Sequence, residues 1–218
     1  MMTSLFSSFD PSTKFLQLNW MMMMSTMMIL PMNFWLKKSR PSMMKKLIEN
    51  KLLSEFYNST NQKEMILLSI SLFMMIIFNN MLGLFPYNFT PTSHISMSMS
   101  ISIPVWIMLM IYGWSKFTNS MFTHLLPTGT PKMIMPMMIL IETTGNMIRP
   151  ISLSVRLTAN MIAGHLLMTL LGNLNEEMKM IILTLPIQMM LMMFESSISI
   201  IQAYVFSTLI TLYSSDIP

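Results

Sequence analysis

ILIETTGNMIRPISLSVRLTANMIAGHLLMTLLG, residues 139–172, is the stretch that decides the fold. It is apolar enough to lie in a bilayer, yet it holds Glu142, Arg149, Arg156 and His165. A charge at the centre of a membrane helix costs about 2.5–3.5 kcal/mol on insertion scales. Such a residue therefore faces a partner or a water-filled path, and it marks function before structure. Arg156 is the most telling of the four. Arginine keeps its proton at any pH a protein meets, so in a proton path it acts as a fixed charge rather than a relay.

The rest of the chain has the same character. Of 218 residues, 53% are hydrophobic and 10% charged, where a soluble domain carries about 25% charged residues. The composition predicts an all-α integral membrane protein forming one membrane domain over residues 1–218. There is no cysteine, so disulfides and thiolate metal sites are excluded. The net charge of +4 gathers at one membrane edge, which argues against a nucleic-acid partner. The 33 methionines, with a run at Met21 to Met24, raise the question of soft-metal binding. They lack regular spacing and lie within apolar spans, so they read as flexible apolar filler.

Residues 1–14 form a short polar tail with none of the marks of a cleaved leader. Residues 15–36, FLQLNWMMMMSTMMILPMNFWL, form a first span with Trp20 and Trp35 near its ends. Lys37, Lys38, Arg40, Lys45, Lys46, Lys51 and Lys63 follow as the densest basic region, which sets that edge as the side from which insertion occurs. Within it, Met43, Met44, Leu47, Ile48, Leu52 and Phe56 recur at helical spacing, predicting an amphipathic interfacial helix over residues 40–58. Residues 65–85 form a second span, in which Asn79 and Asn80 read as interhelical hydrogen-bonding groups. Residues 86–94 are a turn-rich loop. Residues 95–114 form a third span, because the strand-like alternation SMSMSIS has no way to satisfy an open strand in lipid. A polar connector with His124 follows over 115–132. His94, at the far interface, reads as a bland polar residue.

The last two segments, residues 133–172 and 178–213, are far longer than the about 20 residues a perpendicular span needs. They must tilt, bend or leave the bilayer. The sum is about five membrane helices plus one interfacial helix, the last two a long tilted hairpin around a loop with Glu176 and Glu177. An odd number of spans puts the two termini on opposite sides, with Asp216 on the basic side.

At about 100° per residue, Glu142, Arg149 and Arg156 fall on one slowly drifting stripe that Asn146 and Asn160 join. His165 lies about 180° around from Arg156, and about 35 Å along a straight helix from Glu142. In the final segment Glu195, Ser199 and Gln202 share a face inside the apolar run MMLMMFESSISII. Burial raises carboxyl pKa values and lowers those of imidazoles, so a Glu–His pair in such surroundings suits proton exchange near neutral pH. Hairpin pairing with some stagger brings Glu195 toward His165. The structural alternative is an ion network of Glu142, Arg149 and Arg156 that only locks the bundle. For Arg149, next to Pro150, both roles stay open. Three scattered histidines and no HExxH motif exclude a metalloenzyme, and no glycine-rich phosphate loop is present. A proton-coupled secondary transporter and a structural membrane subunit of a respiratory complex remain as alternatives, although the paired repeats of transporters are missing.

SVRLTANMIAGHLL at 154–167, IETTGNMIRPISL before it and FESSISIIQAYVFSTL at 194–209 closely resemble the subunit a family of mitochondrial F-type ATP synthases. The resemblance runs from FDPST to TLYSS. It implies a non-catalytic Fo stator subunit without cofactor or metal, in the mitochondrial inner membrane, made inside the organelle. Its N-terminus would face the intermembrane space and its C-terminus the matrix. Its partners would be the c-ring, the peripheral stalk and other small membrane subunits, the lipid bilayer and protons. Arg156 matches the arginine facing the c-ring carboxylate, and Glu142 the acidic residue of the matrix half-channel. His165 and Glu195 match the pair lining the other half-channel, with Asn160 and Gln202 as polar residues near the arginine. Arg149, Asn146 and Ser199 are secondary candidates from their positions on these faces.

Overall fold

The computed structural model describes residues 5–12, 17–29, 31, 37, 39–60, 62–85, 88–126, 131–173 and 181–215. Among these residues the secondary structure is helical throughout, with no strand. A 3-10 turn at Leu5–Phe9 and another at Leu18–Met21 precede α1, Met22–Ile29. Then come α2, Arg40–Ser59; α3, Lys63–Gly83; α4, Ile95–Lys116; α5, Thr118–His124; α6, Met135–Asn173; and α7, Ile181–Ser215. Four of these (α3, α4, α6 and α7) are long and apolar enough to cross a membrane. The first expected span is described only over 17–29 and residue 31. Trp35, Lys38, Glu176, Glu177, Asp216 and the hairpin connection lie outside the described residues.

Length separates the last two helices from the others. α6 has 39 residues and α7 has 35, about 58 and 52 Å at 1.5 Å per residue. The hydrocarbon they meet is about 30 Å thick. Pro136 falls in the first turn of α6, where its missing N–H is not needed. Pro150 and Pro186 sit inside α6 and α7, and both helices continue through them. α3 rests on α7 and α4 on α6, while α6 and α7 also touch each other. The hairpin is thus backed by α3 and α4 on one side.

The distribution of residue types is inverted relative to a soluble protein. Ser69, Ser154 and Ser207 are fully buried, while Met190 is 79% exposed, Met193 75% and Leu67 74%. Apolar surface facing outward is what lipid tolerates, and small residues at helix contacts let backbones approach. The fully buried hydroxyls of Ser69, Ser154 and Ser207 bond carbonyls of their own helix, those of Ile66, Ile151 and Tyr204, at 2.8, 2.8 and 2.9 Å. In SMSMSIS, Ser98 faces inward and bonds the Ile95 carbonyl, Ser100 faces outward and bonds that of Met97, and buried Ser102 has no partner among the described residues, so the two-residue alternation rides on a helix. The core itself joins Phe56, Phe73, Ile76, Leu109, Leu157, Phe206 and Ile210.

Two expectations are modified. The connector at 115–132 holds the short helix α5. The Asn79–Asn80 pair is buried as expected, but Asn80 Oδ1 has no hydrogen-bond partner among the described residues. The amphipathic segment forms α2, capped at Ser39 with Pro41 in its first turn. It anchors by Leu52 and Phe56 and leaves Met43, Met44, Leu47 and Ile48 exposed, as a helix at an interface would. The Tyr204 hydroxyl donates to Glu55 at 3.1 Å and ties α2 to α7.

Phe56 is 2% exposed and Leu47 58%. Phe56→Ala should therefore destabilise the bundle by about 3–5 kcal/mol, read as a lower thermal midpoint of the solubilised protein, whereas Leu47→Ala should leave the midpoint unchanged.

Candidate functional site

The candidate residues separate into three places along the α6–α7 hairpin. The first is a cavity of about 400 Å³ lined by Glu142, Asn146 and Arg149 of α6, Trp106 and Trp114 of α4, and Tyr213 of α7. Glu142 and Arg149 form a loose ion pair at 3.9 Å, both partly exposed. The guanidinium lies 4.8 Å from the centre of the Tyr213 ring, within cation–π range. The stripe of Glu142, Asn146 and Arg149 thus opens into one space.

The second place is the outer face of α6. Arg156 is exposed there and makes no ion pair with a described residue. One turn on, Asn160 donates a hydrogen bond to the Gln202 side chain of α7. Arg156 is surrounded along the helix by exposed apolar residues: Ile151, Val155 and, further on, Leu167. A cation on an apolar face is costly without a counter-charge.

The third place is built around Glu195. Its carboxyl lies against the backbone of α6 at Gly164, where an added Cβ would meet Glu195 Cδ at 2.9 Å and its oxygens at 3.0 and 3.1 Å. Only glycine lets the carboxyl approach this closely. Glu195 borders two cavities. One, of about 250 Å³, holds Asn80, Asn160, Ser199 and Gln202. The other, of about 900 Å³, holds His165, Asn88, Asn173 and the N-terminal residues Ser8, Asp10 and Ser12. Phe9 meets the His165 ring edge-on at 6.0 Å. Glu195 Oε1, His165 Nε2, Gln202 Nε2 and Asn80 Oδ1 are buried atoms without partners among the described residues. Ser199 is occupied by its own helix at Ser196 and by Met81 Sδ.

Titratable groups beside polar space can exchange protons in steps, and fixed donors and acceptors can hold water between them. Arg156 and His165 lie on different faces of α6, as their spacing requires. Among the described residues no group of three His, Cys, Asp or Glu side chains is arranged to hold an ion. Four contributors escape a sequence reading. Gly164 carries no functional group. Asn80 comes from α3, Tyr213 from the far end of α7, and Asp10 from the polar tail. The GHL triplet holding Gly164 beside His165 is the one local signal, because glycine next to a titratable residue suggests a close approach.

The described geometry can be set beside known proteins. The ATP synthase A chain family matches residues 16–215. ATP synthase subunit a of Locusta migratoria is 48% identical, with 100% of both chains covered. Those of Drosophila melanogaster and Anopheles gambiae are 48% and 47% identical, again over 100% of each chain.

Gly164→Ala should push the Glu195 carboxyl out of its seat. Difference infrared spectra should then show a shifted carboxyl band, assigned by its loss in Glu195→Gln; an unshifted band would contradict the close packing.

Proposed function

This chain belongs to the ATP synthase A chain family, is a proton-translocating, non-catalytic subunit of the Fo sector, and on that premise we propose the path its protons take. It is a multi-pass membrane protein, and its place is the mitochondrial inner membrane. The N-terminus faces the intermembrane space and the C-terminus the matrix, with the basic α2 region on the matrix side. The chain acts as one membrane domain. Its partners are the c-ring, the peripheral stalk and other small membrane subunits.

The observation that carries the proposal is Arg156, exposed and unpaired, with a cavity holding Glu142 to one side of it along α6 and cavities holding His165 and Glu195 to the other. A proton arrives from the intermembrane space in the larger cavity and is taken by His165 or Glu195. From Glu195 it passes through the smaller polar space beside Asn80, Asn160, Ser199 and Gln202. There it neutralises a carboxylate of the c-ring. A neutral carboxyl can turn into lipid, which an ionised one cannot. After nearly a full turn the carboxyl meets the second cavity, gives its proton to Glu142 and leaves ionised. The proton goes on to the matrix. Asn146 lines this exit, and Arg149, stacked on Tyr213, holds Glu142 by its charge.

Arg156 supplies the missing counter-charge. It stabilises the ionised c-ring carboxylate between loading and release, and because it does not give up its proton it blocks a direct leak between the cavities. The Asn160–Gln202 bond fixes the α6–α7 contact next to it. The drive is the proton gradient plus the membrane potential, about 2.3 kcal/mol per charge for each 100 mV.

Arg156→Ala should leave the complex assembled and reduce proton-driven ATP synthesis by about a hundredfold or more, the order seen when a fixed stabilising charge is lost; normal synthesis would sink the mechanism. Glu195→Gln should slow proton flux about a hundredfold without reversing its direction, and unchanged flux at neutral pH would remove Glu195 from the path.

A further inference from the structure

Among the described residues lining the 900 Å³ cavity, three titrate: His165, Glu195 and Asp10. The first two are half-buried and Asp10 is exposed. We propose that Asp10 is the proton-collecting carboxylate at the mouth of this cavity, and that His94 is the residue that positions it. This rests on the proton role given above to His165 and Glu195.

Asp10 is held in place from several elements. The His94 ring nitrogen Nε2 lies 3.0 Å from the carbonyl oxygen of Phe9. A carbonyl can only accept, so Nε2 carries the proton and donates. His94 is itself fixed: its carbonyl accepts from the first amides of α4, and its ring clusters with those of Trp20 and Phe89, at 5.2 and 5.4 Å. On the other side, Phe9 sets its ring edge against His165 at 6.0 Å. Asn19 Nδ2 reaches the Asp10 carbonyl at 3.5 Å. Phe9 and Asp10 are thus tied to α4, to the turn at Leu18–Met21 and to α6. A terminal segment with no such ties would fray.

The charge of Asp10 has a task at that position. The described lining contains no lysine or arginine to offset it. An anion in a cleft with apolar walls focuses its field and raises the local concentration of cations. Asp10 therefore gathers protons from the outer solution and passes them inward over Phe9 to His165 or Glu195. It touches the transported proton, whereas His94 acts only through Phe9.

The test uses assembled ATP synthase in vesicles and measures passive proton flux through Fo. Asp10→Asn should lower flux about threefold to tenfold, toward the low end of field-focusing effects, with assembly unchanged on native gels. Asp10→Glu should restore flux to within about twofold, which a purely structural role would not require. His94→Phe keeps the ring stack and removes the donor; it should lower flux similarly and add nothing in the double variant with Asp10→Asn. Unchanged flux in Asp10→Asn overturns the proposal, and so does failure of Asp10→Glu to restore it. Glu195→Gln, run in parallel, separates the two levels. If it slows flux while Asp10→Asn does not, only the role of Asp10 fails. If Glu195→Gln is also without effect, the proton role of the whole cavity falls with it.

Discussion

The contact between the Glu195 carboxyl and the bare backbone at Gly164 is the constraint on which the arrangement depends. A carboxyl within an apolar helix needs either a cation or polar space. The chain offers no cation here among the described residues. It offers instead a helix surface without a side chain and two polar cavities that meet at the carboxyl. A cation paired with Glu195 would hold it ionised, whereas polar space leaves both protonation states accessible. Arg149 shows the contrast: it sits 3.9 Å from Glu142, with its charge stacked against Tyr213.

The division of labour between helices follows from this contact. α6 and α7 carry Glu142, His165, Glu195 and Arg156, which makes no ion pair with a described residue. Of titratable groups α3 and α4 carry only Lys63, Glu64, Tyr112 and Lys116, yet they supply the buried Asn80 and the tryptophans around Glu142. The hydrogen bonds of Ser69, Ser154 and Ser207 stay within their own helices. The Asn160–Gln202 side-chain bond, by contrast, crosses the hairpin and helps to set how α6 and α7 register. Its polar partners have few alternatives in an apolar setting.

Most of the fold could be read from the sequence, because membrane helices announce themselves by length and hydropathy. The excess length of α6 and α7 and the amphipathic stripe of α2 needed no tertiary information. Helical period put Glu142, Asn146, Arg149, Arg156 and Asn160 on one stripe, of which only the first three share a cavity. What the sequence could not show is what crosses between helices. Asn79 and Asn80 looked equivalent, yet only Asn80 lines the cavity beside Glu195 and Gln202. His94 looked bland because its partner, Phe9, lies 85 residues away. Tyr213 gains its place beside Arg149 only once α7 is folded back along α6. Gly164 has no side chain for a pattern search to find. The α5 helix was hidden in a stretch polar enough to read as a connector.

The outward-facing methionines carry a consequence of their own. Met190 and Met193 are 79% and 75% exposed along α7, and Met133 and Met28 94% and 90%. In lipid a thioether serves as well as an isobutyl group, but the two differ in redox chemistry. A single oxygen transferred to sulfur makes a polar sulfoxide, and on this surface it would face acyl chains or a neighbouring subunit. An apolar coat of leucine is inert to peroxide, and one of methionine is not. The subunit's fit to its surroundings is thereby tied to the oxidant load of its membrane, while Glu142, Arg156, His165 and Glu195 carry no sulfur for that chemistry to reach.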